Sequence, residues 1–190
     1  FIHVPITYES MEIVNASSEA RDYFFPSETA YILLKLYNPN EYAIHSVTVT
    51  PAGENDWNDA PSISLTAEWM SSSATETVYR VALPNSLRGV FTVKSIRIDY
   101  GNDSFSSSLT PSFGDVTCYF LTSDTKHYIS SAADLLAISN NREFLYYEQT
   151  QDIDLSGYAW DGPTLNGVYN GKGYKIKNMT YIGTPATANH

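Results

Sequence analysis

The sequence predicts a mainly β protein in two parts. Residues 1–122 predict an antiparallel β-sandwich, and residues 123–190 predict a smaller unit with one short helix and several short strands. Three observations lead to this prediction. Apolar and polar residues alternate with a period of two from Phe1 to about Leu121. Helical periodicity is confined to a few residues after Ser131, and glycines recur at close intervals after Gly157.

The composition indicates a folded, acidic protein. Hydrophobic residues make up 43% of the 190 residues, which is enough for a packed core. Only 17% are charged, and Ser, Thr, Asn and 15 Tyr carry much of the polarity, a profile that suits a secreted β-protein. With 21 acidic against 11 basic residues, the net charge of -10 disfavours nucleic acid and anionic membrane surfaces as partners.

The ends of the sequence predict that it belongs to a longer chain. It begins with Phe1 rather than Met and shows no signal peptide. No apolar run is long enough to span a bilayer, so we expect no membrane insertion.

The first strands follow from alternation and turn residues. Residues Ile2 to Tyr8 alternate and predict a first strand, while Tyr31–Tyr37 is apolar on both faces and predicts a central one. Asn38–Glu41 predicts a turn, because Asn and Pro end strands, and His45–Val49 returns from it.

The later strands show the same alternation. One face of the next strand carries Ile63, Leu65, Ala67 and Trp69. This face is expected to point to the core. Three more strands follow, Val78–Leu83, Val90–Tyr100 and Val116–Leu121. The apolar parity changes between Val93 and Ile96, which predicts a β-bulge.

The second part begins with a helix signal. Ser131–Asp134 fits a capping box, and three apolar residues after it, Leu135, Leu136 and Ile138, predict a helix of about two to three turns that Asn140 and Asn141 end. Extended structure returns from Tyr146 to Leu155. Glycines then mark successive corners, and Tyr174, Ile176 and Asn178 are expected to share one strand face.

Residues 128–182 resemble the GLUG-like and pectate-lyase-like β-helix repeats of bacterial surface proteins and immunoglobulin A proteases. The residues that carry the resemblance, in chain order, are Ile129-Ser130, Asp134-Leu135, Asp152 to Gly157, Trp160 with Pro163, Gly167 to Gly173, and Ile176 to Met179. Tyr174 stands where that family often has His. The resemblance implies a β-helix-like unit in which Asp152, Asp154, Trp160, Gly167, Gly171, Gly173 and Asn178 are structural.

A second resemblance concerns the first part. Residues 34–47 and 96–100 are similar to immunoglobulin-like sandwich modules of multidomain surface proteins from Gram-positive gut bacteria. Together the two resemblances imply an extracellular, secreted or wall-attached parent built from many domains. They also imply that an immunoglobulin-cleaving metalloprotease domain can stand beside this region.

A single solenoid repeat cannot bury its own apolar face and needs neighbours. We therefore expect the second unit to dock, with the face formed by Leu135, Leu136 and Ile138 covered by the sandwich or by the unit's own strands.

Asp152 and Asp154 are the candidate acids. Their spacing places both carboxylates on one face of a strand, where a catalytic pair or a calcium site is conceivable. The structural interpretation is favoured, in which both acids shape the turn and cap neighbouring backbone. We expect no metal and no cofactor.

Other motifs point away from chemistry. The loop from Gly167 to Gly173 leads into a strand, whereas a phosphate-binding loop needs Gly-Lys-Ser/Thr before a helix. The four histidines show no zinc-ligand spacing. The single cysteine, Cys118, lies in a strand pattern and is expected to be a buried apolar residue.

The tryptophans are the candidate contact residues. Trp57 lies in a polar loop and is the one expected to be exposed and to bind a sugar or a protein. Core packing is expected for Trp69 and Trp160.

These observations favour a noncatalytic spacer or recognition region whose partners are other domains of the same chain and a host glycoprotein or immunoglobulin. Two alternatives remain open. One is an adhesin for host glycan or protein, and the other is a fragment of a carbohydrate-active β-helix enzyme that uses Asp152 and Asp154.

Overall fold

A computed structural model describes residues 2–52, 62–138, 143–160 and 165–180. Of these residues, 52% lie in strands and 3% in a helix, so the predicted mainly β fold is confirmed. The chain divides into two compact units, Phe1–Phe120 (unit 1) and Leu121–His190 (unit 2). Within the described ranges, no helix is long and apolar enough to cross a membrane.

Unit 1 is built from two β-sheets. Its described strands are β1 (Thr7–Val14), β2 (Tyr23–Phe24), β3 (Tyr31–Tyr37), β4 (Ala43–Pro51), β5 (Ile63–Leu65), β6 (Ala67–Ser72), β7 (Thr77–Ala82), β8 (Gly89–Asn102), β9 (Phe105–Leu109) and β10 (Val116–Phe120). The first sheet has the order β1-β3-β7-β6 and is antiparallel. The second has the order β2-β10-β8-β4-β5, with β9 also paired to β8, and only its β2–β10 pair is parallel.

Both sheets contribute to one hydrophobic core. Its fully buried members include Ile32, Leu34, Leu36 and Val81 from the first sheet, and Val47, Val49, Phe91, Val93, Ile98 and Cys118 from the second. The prediction that Tyr31–Tyr37 is a central strand is confirmed, because β3 lies between β1 and β7. Cys118 is buried as predicted.

The first strand begins later than predicted. The alternation from Ile2 to Tyr8 does not form a strand over its first five positions, and the side chain of Ile2 is 81% exposed. The partner strand explains the difference. β3 ends at Tyr37, opposite Thr7, so residues before Thr7 have no backbone partner on β3.

The stretch predicted as one strand with a core face is divided between the two sheets. β5 pairs with β4, whereas β6 pairs with β7, and Thr66 separates them. The expectation of core packing is wrong for Trp69, whose side chain is 60% exposed. β6 is the edge strand of its sheet, so Trp69 has a neighbouring strand, β7, on one side only.

The predicted bulge between Val93 and Ile96 is confirmed. Thr50 lies opposite Ser95, and Pro51 lies opposite Val93, so Lys94 is the extra residue. The insertion lets Val93 and Ile96 both face the core although they are three positions apart.

Unit 2 consists of short strands stacked in parallel. Its described elements are β11 (Lys126–Ile129), α1 (Ala132–Leu136), β12 (Leu145–Gln149), β13 (Ile153–Asp154), β14 (Gly167–Asn170) and β15 (Ile176–Lys177). One sheet has the order β11-β12-β14 and the other pairs β13 with β15, all in parallel. The unit has its own core, formed by Ile129, Ala132, Leu135, Ile138, Leu145, Tyr147, Ile153 and Leu155.

The helix begins as predicted and ends early. The Ser131 hydroxyl accepts a hydrogen bond from the Asp134 backbone N–H at 3.1 Å, and the Asp134 carboxylate accepts one from the Ser130 N–H at 2.9 Å. The helix ends at Leu136, because the Ile138 N–H turns to the Leu135 carbonyl three residues back. Two to three turns was therefore too long, and Asn140 and Asn141 lie outside the described residues. Leu135 and Ile138 are covered by the unit's own core.

Candidate functional site

A cleft of about 460 Å³ opens at one edge of unit 1, and we call it the Trp69 cleft. The start of β4 contributes one wall, and β6 and β7 contribute the other. Its lining residues are Asn38, Glu41, Tyr42, Ala43, Ile44, Ala67, Trp69, Ser72, Thr77 and Tyr79. This volume lies in the range of pockets that bind small molecules, about 300–1,000 Å³.

The indole of Trp69 is both exposed and held in place. Its Nε1–H donates to the Ser72 hydroxyl at 2.9 Å, and that hydroxyl lies 3.4 Å from the Thr77 hydroxyl. Thr77 is only 7% exposed, so its buried side chain holds the Ser72 hydroxyl, which in turn holds the indole. The indole N–H is therefore occupied, and the ring presents its apolar face to solvent.

The floor of the cleft is a buried amide and a phenol. The Asn38 side chain accepts from the Tyr42 N–H at 3.0 Å and donates to the Tyr42 carbonyl at 2.9 Å. It also donates to the Tyr79 hydroxyl at 3.0 Å. Burial raises the pKa of Tyr79, the bond from Asn38 acts in the opposite direction, and the Glu41 charge raises it further. The phenol is therefore a neutral hydrogen-bond donor at physiological pH.

Glu41 stands at the rim in an uncommon backbone conformation. Its φ of 53° lies in the left-handed region, and its N–H donates to the Asn38 carbonyl at 3.1 Å. Glutamate is rarely found there, since the left-handed region favours Gly, Asn and Asp. The predicted turn at Asn38–Glu41 thus has its left-handed residue at Glu41.

Sequence reasoning missed this site because it placed Trp69 in the core. The signal that could have found it is the polar run Ser71–Ser73 directly after Trp69 and Met70, which is unusual for a core strand. Trp57, the predicted contact residue, lies outside the described residues.

Asp152 and Asp154 bind the neighbouring strand instead of lining a cleft. The Asp152 carboxylate accepts from the Lys175 N–H at 2.9 Å and pairs with the Lys177 ammonium at 3.0 Å. Asp154 accepts from the N–H and the hydroxyl of Ser156, at 2.9 and 2.6 Å, and from the Asn178 amide at 2.8 Å. Both carboxylates thus fasten β13 to the segment around β15.

These contacts lower the pKa of both acids. The Lys175 N–H and then the Lys177 ammonium lower the pKa of Asp152. The Asn178 amide, followed by the two Ser156 donors, lowers the pKa of Asp154 to about 2. A general acid needs the opposite shift, since it must hold its proton near neutral pH.

We expect the Asp154→Asn variant to destabilise unit 2 at neutral pH and to lose this effect in acid. Because the folded-state pKa lies below the ordinary value of 3.8, the ionised carboxylate stabilises the fold above about pH 4. That contribution is lost as the pH falls towards about 2. Denaturant titrations followed at unit 2 amides by NMR, at several pH values, measure the difference.

The control is Asp115→Asn, which removes one exposed charge from unit 1. This variant should leave the dependence of unit 2 stability on pH unchanged. If the stability of unit 2 changed with pH in parallel in Asp154→Asn and in the unsubstituted chain down to pH 2, the stabilising role of the Asp154 carboxylate would be contradicted.

The remaining predicted structural residues lie along the stacked strands. Asn178 follows β15 with a φ of 56°, so the expectation that it continues one strand face with Tyr174 and Ile176 is wrong. Its amide is used by Asp154 and by the Ser156 hydroxyl. Trp160 packs against the unit 2 core. The glycines at 167, 171 and 173 lie at or beside β14, in three different environments.

Unit 2 also carries an apolar groove of about 200 Å³. It is lined by Leu135, Ile138, Trp160, Leu165, Tyr169 and Ile176. The Trp160 Nε1–H is buried there without a partner among the described residues. A single polar group gives such a groove little selectivity, so the Trp69 cleft is the stronger candidate.

In the described part of the chain, no three His, Cys, Asp or Glu side chains lie close enough together to hold a metal ion. Burial, and then the charge of Asp22, raises the pKa of the Cys118 thiol to about 12, so this thiol stays protonated in the folded unit.

The chain is thus a mainly β protein of two units, with one mixed polar and aromatic cleft as its leading candidate site. In comparisons with known proteins, no family model, no curated protein and no solved structure matches it.

Proposed function

We propose that the chain is a noncatalytic accessory region of a secreted or cell-surface bacterial protein and that its role is recognition. In this proposal unit 1 is an immunoglobulin-like sandwich and unit 2 is a small β-helix-like solenoid. Two sheets around one core, antiparallel except for the β2–β10 pair, support the first assignment. Parallel stacking supports the second, since Lys126 pairs with Tyr146 and Tyr146 with Val168, a spacing of 20 and 22 residues.

The observation that carries the proposal is the Trp69 cleft. An exposed indole held by Ser72 is a contact surface whose orientation is set before a partner arrives. By contrast, the two acids that an enzyme would need are engaged with their own chain. The geometry therefore favours recognition over the carbohydrate-active enzyme fragment.

The partners follow from the proposed parent protein. Within the chain they are other domains, including an immunoglobulin-cleaving metalloprotease domain of the kind that the resemblance implies. Outside it, the adhesin alternative names a host glycan or protein, and the Trp69 cleft is the specific feature that favours such a ligand.

The test is to incubate the 190-residue chain with polysaccharides and immunoglobulins and to measure products and binding separately. We expect saturable binding without product. Product formation that disappears in the Asp152→Asn and Asp154→Asn variants would overturn the proposal in favour of the enzyme fragment.

A further inference from the structure

We propose that the Trp69 cleft binds a neutral oligosaccharide, an inference that rests on the proposed recognition function and names its ligand class. Sugar rings have an apolar C–H face and a rim of hydroxyl groups. A protein site for them needs an aromatic face, hydrogen-bonding groups around it, and no unpaired cation in the centre.

The aromatic face is supplied by Trp69. Its ring is 60% exposed, yet the Nε1–H is bound by Ser72 and cannot turn toward a ligand. What remains available is the flat π surface, on which a pyranose ring can lie. A fixed ring loses little conformational entropy on binding, which is the advantage of an anchored aromatic residue.

The hydrogen-bonding groups are supplied by Tyr79 and Glu41. The Tyr79 hydroxyl accepts from the Asn38 amide at 3.0 Å, and as a neutral phenol it has a hydrogen of its own to donate. Tyr79 lines the cleft and is only 6% exposed, so a ligand hydroxyl must enter the cleft to accept that hydrogen. The Glu41 carboxylate lines the cleft and can accept from sugar hydroxyls.

Charge selects neutral sugars over acidic ones. Glu41 is the charged residue among the described lining residues, and no Lys or Arg accompanies it there. The whole chain carries a net charge of -10. A sialic acid or uronic acid carboxylate would therefore be repelled, with no cation to compensate.

A peptide strand is a poorer occupant. Edge-strand pairing on β6 is interrupted by a bulge between Trp69 and Ser71. Grooves for extended proline-rich peptides are lined by several aromatic faces, whereas Tyr42 and Tyr79 are buried beneath this cleft.

The experiment titrates the full 190-residue chain with neutral di- and trisaccharides of glucose, galactose and mannose, and with sialylated and uronic acid counterparts, by calorimetry. We expect at least one neutral sugar to bind saturably and the acidic counterparts to bind more weakly. Trp69→Ala should weaken binding by about tenfold or more, and Trp69→Phe should recover part of the loss. Glu41→Gln should weaken it while reducing the preference for neutral sugars.

The control is Tyr128→Ala, since this ring in unit 2 is also 60% exposed. It should leave sugar affinity unchanged, and amide NMR spectra should show that each variant is folded. Sugar binding that Trp69→Ala leaves intact, or no neutral sugar bound at all, would overturn the inference. If the chain bound a protein without attached sugars, through Trp69, and bound no sugar, the proposed ligand class would be wrong. The proposed recognition function would still stand. Turnover of a bound sugar would overturn the noncatalytic function instead.

Discussion

Replacing Gly167 with alanine is expected to unfold the stacked strands of unit 2, lowering the free energy of unfolding by at least about 3 kcal/mol. Gly167 lies opposite Leu145 in the β12–β14 pair with a φ of 122°. A Cβ atom there would stand 2.2 Å from the Leu145 carbonyl oxygen and 2.7 Å from its nitrogen. Both atoms belong to the backbone, so the clash can be relieved only by separating the strands.

Gly171→Ala is the matched control within the same loop. The backbone of Gly171 is not in the left-handed region, and a Cβ atom there would meet only the Gln149 side-chain oxygen, at 3.9 Å. Alanine restricts the unfolded chain, so this variant should be neutral or more stable by about 0.4–1 kcal/mol. Gly173 has a φ of 82° in open space, and its alanine variant should lose about 1–2 kcal/mol from backbone strain alone.

Amide hydrogen exchange at residues 145–149 and 167–170 is the measurement, because it reports on unit 2 directly. We expect amide protection to be highest in Gly171→Ala, lower in Gly173→Ala and lowest in Gly167→Ala. Full protection in Gly167→Ala would show that the β12–β14 pairing is not as close as described.

These three glycines show what the sequence can and cannot predict. Their spacing predicts corners between short strands, and the turn after Gly171 lies where the pattern places it. The prediction of one loop from Gly167 to Gly173 is wrong for its first four residues, because Gly167–Asn170 forms β14 by pairing with β12. The sequence does not rank the glycines, since the requirement at Gly167 comes from Leu145, 22 residues earlier in the chain.

Signals that are complete within a few residues were predictable. The capping box at Ser131 contains all the residues that form it, and the parity change before Ile96 lies within the bulged strand itself. Asp152 and Asp154 each accept a hydrogen bond from a residue far along the chain, Lys175 and Asn178, which are 23 and 24 positions away. Their spacing alone therefore left a catalytic pair, a calcium site and a structural role open.

Trp69 was placed wrongly because alternation describes one strand, not its position in a sheet. Trp69 lies opposite Tyr79, which is buried, yet it belongs to the edge strand and stands next to a bulge. Residues on the same face of one sheet can therefore be buried in the core on β7 and exposed in the cleft on β6. Only the pairing of both strands, which the sequence does not state, distinguishes the two.

Phe91→Ala is expected to destabilise unit 1 by about 3–5 kcal/mol. Phe91 is fully buried on β8, and its ring meets the ring of Phe120 edge-on at 5.7 Å. Phe120 in turn stacks on Phe24 at 5.8 Å. This row of three rings crosses β8, β10 and β2, and β2 has only two residues, so its side-chain packing holds it in place.

Cys118 offers an internal probe of this loss. It lies directly opposite Phe91 in the β8–β10 pair and is fully buried. Because the pKa of the Cys118 thiol is raised to about 12, iodoacetamide should modify it only when unit 1 opens. A loss of about 3 kcal/mol corresponds to a more than hundredfold larger open population, and the alkylation rate should rise by a similar factor.

Tyr119→Ala is the comparison on the same strand, since it removes a ring of similar size that is 38% exposed. Its neighbours Cys118 and Phe120 stay in the core, so we expect a change of about 1 kcal/mol or less and little acceleration of alkylation. If Phe91→Ala and Tyr119→Ala accelerated alkylation equally, the ring row would not be what holds β2 and β10 together. Fast alkylation of Cys118 in the unsubstituted chain would contradict the burial of this thiol. It would also contradict the packing of the two sheets around one core.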